Sequence, residues 1–275
     1  MLFRSLQALL LGVVQGLAEF LPISSSAHLA LVPYWFGWRL DEKTVFLFGV
    51  LVQMGTLIAV IACFFSDLRE ILRAAFRALR RGQPFADPDA RLGWFILLGT
   101  VPAGLIGLIL KPAVESAFSE PRIIAAFLYL TAIFLYWSDR AAKKTRQLSD
   151  LTAVDALLIG LGQALAIFPG VSRSGATIAV GLGRGFQRAE AGRFSFLLSV
   201  PIMIAAGVLS VLDLGNAALL TESAPKLILA ALTAAGTGFF AIRWFLGYLA
   251  KKTLTVFAVY CAVVATGTLI LTLVR

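Results

Sequence analysis

Charged residues are scarce in this sequence of 275 residues. They make up 14% of it, whereas an ordinary soluble domain contains about 25%. Hydrophobic residues account for 59%, and the mean hydropathy is +0.89. One soluble core cannot bury so much apolar surface, and the apolar runs are continuous rather than alternating. The composition therefore indicates an integral membrane protein built from helices.

Cysteine and histidine are nearly absent. The two cysteines, Cys63 and Cys261, both lie in apolar segments, which argues against a disulfide framework or a cysteine-built metal site. The net charge of +9 would suggest a nucleic-acid partner in a soluble protein. Here the basic residues lie between apolar segments, so we expect no nucleic-acid partner and attribute the charge to membrane orientation.

One segment near the N-terminus recurs later in the chain. Residues 8–32 (ALLLGVVQGLAEFLPISSSAHLALV) align without a gap with residues 156–180 (ALLIGLGQALAIFPGVSRSGATIAV), at an offset of 148. Because the first segment has an internal copy, we expect it to belong to the mature fold and not to a cleaved signal peptide. The chain is predicted to be one membrane domain of two repeats, 1–138 and 149–275.

Each copy consists of two short apolar arms around a break rich in proline, glycine and serine. Neither arm is long enough to cross a hydrocarbon core of about 30 Å. Irregular backbone at membrane depth is tolerated only where it is buried in protein or lines a cavity. We therefore predict two re-entrant helix–loop–helix units, at about 5–35 and 153–183, with the binding site where the two units meet.

Six other segments are long enough to span a membrane. If the first re-entrant unit enters and leaves on the outside, sixteen of the 24 basic residues lie on the cytoplasmic side, as the positive-inside rule requires. The two halves then have opposite orientations. The predicted fold class is an all-α integral membrane protein with an inverted-topology repeat, six transmembrane helices and two re-entrant units. The six segments are 45–65, 93–110, 122–138, 194–212, 225–244 and 254–274.

This orientation has two further consequences. Both termini would be periplasmic. The arginine-rich stretch 67–81 would be cytoplasmic, where it is either an orientation signal or an amphipathic helix that binds anionic lipid.

Few ionisable residues fall within the apolar segments, and three of them stand out: Glu19, His28 and Arg173. At the repeat offset Arg173 pairs with Ser25, so the two breaks would bring these groups together. Arginine binds phosphate oxygens, and serine hydroxyls and helix N-termini also favour anions. The set predicts a phosphate group handled inside a bilayer, and hence a phosphorylated lipid. The alternative is a purely structural buried pair of Glu19 and Arg173.

Four stretches carry a family resemblance. EFLPISSSAH at 19–28 and PGVSRSGATI at 169–178 resemble the two signature motifs of the undecaprenyl-diphosphate phosphatase (bacitracin-resistance) family, and VQMGTLIAV at 52–60 and FSFLLSVP at 194–201 resemble its further blocks. The resemblance implies a bacterial inner-membrane enzyme that hydrolyses undecaprenyl diphosphate to undecaprenyl phosphate and phosphate. It would recycle the lipid carrier for peptidoglycan and other envelope glycans, with a site that faces the periplasm.

The resemblance also implies which residues form the site. Catalytic roles fall to Glu19, Ser25, His28 and Arg173, and the nucleophile stays open between Ser25, His28 and a water. Around them we expect a group of substrate-binding residues, most of them in the two breaks. These are Gln15, Ser24, Ser26, Gln53, Ser172, Ser174, Gly175 and Thr177.

The family further implies a divalent cation, Mg²⁺ or Ca²⁺, for which Glu19 is the candidate ligand. The chain departs from the family pattern where Gln15, Gly49 and Arg193 replace acidic residues. Glutamine keeps hydrogen-bonding capacity but is neither a base nor a charged metal ligand. These departures weaken the case for the cation and, to a lesser degree, for catalysis.

Two other functions stay open at this point. One is a transporter or flippase of polyprenyl phosphate, which the inverted repeat and the loss of acidic groups favour. The other is an inert homologue with a scaffolding role. Membrane lipids are expected partners in each case, and a homodimer is a further expectation.

Overall fold

The computed structural model describes residues 5–38, 42–141, 145–213 and 217–274. Within these residues the regular structure is helical and no strand is formed, so the predicted all-α class is confirmed. The α-helices are α1 (Ser5–Phe20), α2 (Ser25–Trp35), α3 (Glu42–Cys63), α4 (Phe65–Arg80), α5 (Pro88–Ala117), α6 (Pro121–Ala141), α7 (Ala153–Leu165), α8 (Arg173–Gly183), α9 (Arg188–Asp213), α10 (Ala217–Leu249) and α11 (Thr255–Val274).

Five helices are long and apolar enough to cross a membrane: α5, α6, α9, α10 and α11. They match five of the six predicted segments, with α11 beginning one residue later than predicted. The sixth, 45–65, differs, because α3 ends at Cys63 and α4 turns away from it by 77°, so that the bent pair counts as a sixth span only when taken together. Large apolar side chains such as Ile109 and Leu273 are 75% and 79% exposed, as expected of a surface that faces lipid.

The two predicted re-entrant units are pairs of short helices, α1–α2 and α7–α8, which we call hairpin 1 and hairpin 2. Their helix bounds coincide with the predicted limits. A serine caps each returning helix: Ser24 Oγ accepts from the backbone N–H of Ala27 at 3.4 Å, and Ser172 Oγ accepts from that of Gly175 at 3.1 Å. The serines of the breaks therefore start the second helix of each hairpin.

Hairpin 2 returns to the end of the bundle at which it starts. Asp155, in the first turn of α7, accepts a hydrogen bond from Arg184, just after α8, at 2.6 Å. Asp139, close to the end of α6, pairs with Arg188 at the start of α9 and accepts from the backbone N–H of Leu254, just before α11, at 3.0 Å. These contacts gather several helix termini at one end of the bundle, which we call end A.

Hairpin 1 leads to the opposite end, end B. α2 runs beside α11 in the same direction, because His28 Nε2 lies 2.7 Å from the Tyr260 hydroxyl and Trp35 Nε1 donates to the Thr268 hydroxyl at 3.2 Å. Since α11 starts at end A, α2 runs from the break towards end B. The two hairpins therefore approach from opposite ends and meet at their tips inside the bundle.

Two glycines at equivalent repeat positions, Gly12 and Gly160, mark close helix crossings. A Cβ on Gly12 would lie 2.5 Å from the carbonyl oxygen of Ala230 in α10, and one on Gly160 would overlap the carbonyl of Gly99 in α5. The first helix of each hairpin thus packs against a long helix of the other half, at a backbone distance that requires glycine. These crossings set how deep each hairpin reaches.

Replacing Gly160 with alanine should destabilise the protein, because the added methyl group overlaps backbone atoms that cannot move aside as a side chain would. Overpacking of this kind costs about 1–3 kcal/mol. Thermal unfolding of the purified protein in detergent should show a lower midpoint. Gly104→Ala, in α5 with open space around it, is the matched control. Equal midpoints for the two variants would contradict the close crossing.

Candidate active site

Glu19, at the end of α1, is the centre of a buried polar cluster at the hairpin tips. One carboxylate oxygen, Oε2, accepts hydrogen bonds from Gln15 Nε2 at 2.8 Å and from the Ser25 hydroxyl at 2.6 Å. The other, Oε1, accepts from Arg173 Nη2 at 2.7 Å. The three donors come from α1, α2 and α8, so both hairpins contribute to the environment of one carboxylate.

Arg173 is the first residue of α8 and crosses from hairpin 2 to hairpin 1. Its side chain is 16% exposed and that of Glu19 is 5% exposed. Within the described residues, Arg173 Nη1 is buried without a hydrogen-bond partner, and so is Gln15 Oε1. The ion pair therefore leaves a guanidinium N–H group available beside the carboxylate.

The tips of the two hairpins are also joined directly. The backbone N–H of Gly170 donates to Ser24 Oγ at 3.1 Å, and the Ser174 hydroxyl donates to the carbonyl of Leu21 at 3.1 Å. Thr131 of α6 fixes the second tip, because its hydroxyl donates to the carbonyl of Gly170 at 2.8 Å. The breaks contain polar backbone and hydroxyl groups that would be destabilising if buried without hydrogen bonds, and these contacts provide those bonds.

All four predicted substrate-binding serines lie in this cluster, where their hydrogen bonds hold the tips together. The Ser24 and Ser26 hydroxyls are 3.1 Å apart, and the equivalent pair in hairpin 2, Ser172 and Ser174, is 3.2 Å apart. Gly175 contributes the N–H that Ser172 caps. Contact of these residues with substrate stays a prediction.

Two further predicted substrate-binding residues, Thr177 and Gln53, make no hydrogen bond to Glu19 among the described contacts. The Thr177 hydroxyl bonds to the carbonyl of Arg173 at 2.7 Å and to the Ser195 hydroxyl at 2.6 Å, so it joins α8 to α9. Gln53 is on α3, and besides the backbone bonds of that helix the contact described for it is a hydrogen bond that its carbonyl accepts from the Thr56 hydroxyl. The roles predicted for Thr177 and Gln53 stay untested.

His28 lies on α2 three residues after Ser25, and both of its ring nitrogens have partners. Nδ1 is 2.8 Å from the carbonyl oxygen of Ser24, which only accepts hydrogen bonds, so Nδ1 carries a proton. In the neutral ring Nε2 is then an acceptor, and the Tyr260 hydroxyl, 2.7 Å away, donates to it. The two rings are stacked with their centroids 5.6 Å apart. His28 thus connects hairpin 1 to α11.

The three residues that replace acidic residues of the family pattern lie in different surroundings. Gln15 contacts Glu19 directly. Gly49 of α3 faces α2, where a Cβ would approach the Leu29 side chain at 3.2 Å. Arg193 pairs with Asp67 of α4, and its side chain is 47% exposed. Of the three, Gln15 is the one that makes a hydrogen bond to Glu19.

Sequence reasoning did not find Tyr260 or Thr131. Both lie within long apolar helices, and neither belongs to one of the quoted motifs. Their importance comes from packing, since α11 carries Tyr260 to His28 and α6 carries Thr131 to the tip of hairpin 2. A hydroxyl in an apolar span is too common a feature to have indicated either contact.

The arrangement suits the chemistry of an anion. α2 begins at Ser25 and α8 begins at Arg173, so the N-termini of two helices meet at the cluster. Helix N-termini carry partial positive charge and unpaired N–H groups, which bind phosphate. Glu19 is placed to take a proton from Ser25, and Arg173 is placed to bind phosphate oxygens.

Known proteins resemble this chain over nearly its full length. The family described as "Bacitracin resistance protein BacA" matches residues 8–267. The undecaprenyl-diphosphatase of Myxococcus xanthus (strain DK1622) is 43% identical over 270 residues, which cover 98% of this chain and 89% of that protein. The undecaprenyl-diphosphatase of Moorella thermoacetica is 43% identical over 255 residues, covering 93% of each, and that of Pelotomaculum thermopropionicum is 40% identical over 273 residues, covering 98% and 97%.

His28 is the only histidine, so labelling histidine with ¹⁵N gives signals from a single imidazole ring. When the ring is neutral, we expect the proton on Nδ1 and a hydrogen-bonded acceptor at Nε2. Tyr260→Phe should move the Nε2 resonance towards that of an unbonded nitrogen. Tyr129→Phe, which removes a hydrogen bond to Thr266 of the same helix α11, should leave it in place. A proton on Nε2 in the unmodified protein would contradict the described geometry.

Proposed function

Because the chain belongs to the BacA family of bacitracin-resistance proteins, we propose that it hydrolyses undecaprenyl diphosphate to undecaprenyl phosphate and inorganic phosphate. The observation that carries this function is the contact of Glu19 with both Ser25 and Arg173. One carboxylate thereby connects a nucleophile to a phosphate-binding guanidinium. The names of the relatives favour hydrolysis over transport of polyprenyl phosphate.

Ser25 is the proposed nucleophile. Its Oγ attacks the terminal phosphorus of the diphosphate while its proton passes to Glu19 Oε2, 2.6 Å away. The bond from that phosphorus to the bridging oxygen breaks, and undecaprenyl phosphate leaves with the electron pair and receives the proton from Glu19. A water then attacks the phosphoserine, Glu19 takes a proton from this water and returns it to Ser25 Oγ, and phosphate is released.

His28 takes no nucleophilic role in this proposal. Nδ1 is protonated and bonded to the Ser24 carbonyl, and the lone pair of Nε2 accepts the Tyr260 hydroxyl. Neither nitrogen is then free to attack phosphorus. Its proposed role is to hold α2, and with it Ser25, against α11.

Arg173 binds the phosphate that is transferred. Its Nη1 has no hydrogen-bond partner among the described residues, so it meets a phosphate oxygen without first breaking the bond from Nη2 to Glu19. The N-termini of α2 and α8 add N–H donors and positive potential at the same point. The transition state gains charge on these oxygens, so the same groups stabilise it.

A divalent cation fits these residues only together with the substrate. Within the described residues, no three histidine, cysteine, aspartate or glutamate side chains form a cluster. Glu19 and Gln15 Oε1, which has no hydrogen-bond partner among the described residues, would each supply an oxygen ligand, and the diphosphate would supply others, as Mg²⁺ prefers. Such a cation, Mg²⁺ or Ca²⁺, would neutralise charge on the diphosphate.

The proposed location is the bacterial inner membrane, with end A in the cytoplasm and end B in the periplasm. The support is charge, because basic residues crowd the helix termini of end A, as the positive-inside rule requires. Hairpin 1 would then enter from the periplasm, both termini would be periplasmic, and the site would face that side. The basic residues at end A include Arg140, Arg146, Arg184, Arg188, Lys251 and Lys252.

Substitutions at Glu19 and Ser25 test the reaction. Glu19→Gln and Ser25→Ala should each lower phosphate release from undecaprenyl diphosphate by about 10²–10⁴-fold, because each removes a partner of the proton transfer. The assay uses the purified protein. Ser138→Ala is the control, since among the described residues that hydroxyl bonds to the Leu135 carbonyl of its own helix alone. Full activity of Glu19→Gln would refute the proposal, and near-full activity of Ser25→Ala would assign the attack to a water.

Gln15→Glu tests the cation. A second carboxylate would stand where Gln15 now donates to Glu19 at 2.8 Å, and the two like charges would repel unless a cation lies between them. We expect the variant to be inactive once a chelator has removed the cation and to regain activity as Mg²⁺ is added, whereas the unmodified protein should depend less on the cation. Gln83→Glu, on an exposed loop, is the control. Identical chelator titrations for Gln15→Glu and the unmodified protein would show that this position does not govern cation use.

A further inference from the structure

α4 packs on the bundle by one face only. One residue, Phe64, separates it from α3, and the two helices differ in direction by 77°, so α4 runs across the direction of α3 and does not continue it. Ile71, Ala74 and Ala78 are buried, and two of them, Ala74 and Ala78, pack with Ala90 of α5. If α3 crosses a membrane, α4 lies along the surface of that membrane.

A second face of α4 is apolar and uncovered. Phe65, Leu72, Phe76 and Leu79 are 60%, 69%, 57% and 56% exposed. Their spacings of seven, four and three residues place them in one stripe along the helix. A row of four large apolar side chains is a costly surface to expose to water and indicates a partner.

Arginines flank this stripe without acidic partners. Arg69 lies one turn after Phe65, Arg73 follows Leu72, and the Arg80 guanidinium stacks on the Phe76 ring, 4.4 Å from its centroid. Among the described residues, no carboxylate lies within ion-pair distance of these three arginines.

Two of the acidic residues near α4 are paired elsewhere, and the third, Glu70, is exposed on the helix about 150° around it from the apolar stripe. Asp67 pairs with Arg193 of α9, and Asp87 pairs with Arg77, on another side of the helix, at 3.7 Å. The side that carries the apolar stripe is therefore left with positive charge alone. This segregation distinguishes the stripe from an ordinary solvated helix face.

We propose that α4 binds anionic phospholipid of the adjacent leaflet through this surface, which consists of Phe65, Leu72, Phe76 and Leu79 with Arg69, Arg73 and Arg80. The apolar stripe enters the acyl region below the headgroups, and the guanidinium groups bind the lipid phosphates. The exposed apolar area and the unpaired positive charge lie side by side, as the two parts of an anionic lipid do. The site is separate from Glu19 and does not depend on the phosphatase proposal.

Native mass spectrometry of the purified full-length protein in detergent tests this surface. Phosphatidylglycerol and phosphatidylcholine of equal chain length are titrated separately. The unmodified protein should retain phosphatidylglycerol in preference to phosphatidylcholine. The double variant Arg69→Gln with Arg80→Gln should bind phosphatidylglycerol about tenfold more weakly, or weaker still. Arg77→Gln with Arg81→Gln, an equal change of charge on another side of the helix, should change binding less than twofold.

The apolar half of the surface needs its own variant. Leu72→Ser with Phe76→Ser should also weaken phosphatidylglycerol binding, because the acyl chains lose their contact. Equal losses in the two arginine pairs would overturn the proposal, since bulk charge would then explain the binding. The lipid-binding proposal would also be overturned if the protein bound the two lipids equally and formed a concentration-dependent dimer through the apolar stripe. Phosphate release by the Arg69 and Arg80 double variant in detergent should stay unchanged. A loss of lipid binding can therefore be distinguished from a failure of the proposed reaction.

Discussion

The buried ion pair between Glu19 and Arg173 is the interaction on which the rest of the arrangement depends. A carboxylate that is 5% exposed in an apolar bundle is costly unless it is paired and hydrogen-bonded. Its partner is supplied by the other hairpin, 154 residues away along the chain. The pair therefore exists only if both tips stop at the same depth and face each other, and every feature that sets their depth also supports the site.

Two kinds of contact set that depth, and both act far from Glu19. The glycine crossings at Gly12 and Gly160 let the first helix of each hairpin approach a long helix of the other half at backbone distance. At end A, buried Asp155 joins the start of α7 to the end of α8. At the tip itself Ser24 has a positive φ of 68°, which is unfavourable for a residue other than glycine. Its hydroxyl accepts from Gly170 and Ala27, and these bonds hold it in that conformation.

Much of this could be predicted from the sequence because it is local or repeated. A break between two short apolar arms fixes the hairpins, and the alignment of the copies pairs Arg173 with Ser25. The bend after α3 was not predicted, because the apolar run continues to Phe65 while the amphipathic pattern that turns α4 along the surface begins only there. The contact of Tyr260 with His28 joins residues 232 apart, and only the packing of α11 against α2 creates it.

Gln15 gives the carboxylate of this chain a distinct setting. Oε1 of Glu19 faces Arg173, and Oε2 faces Ser25 and Gln15, so one oxygen holds the proposed phosphate-binding group while the other contacts the proposed nucleophile. A glutamate in place of Gln15 would bring a second negative charge to Oε2 and would require a cation or a proton between the two groups. Glutamine instead donates a neutral N–H group to Oε2 at 2.8 Å. The hydrogen bond from Gln15 thus occupies the side of Oε2 where a second carboxylate would require a cation, and Oε2 keeps the contact with Ser25 on which the proposed proton transfer depends.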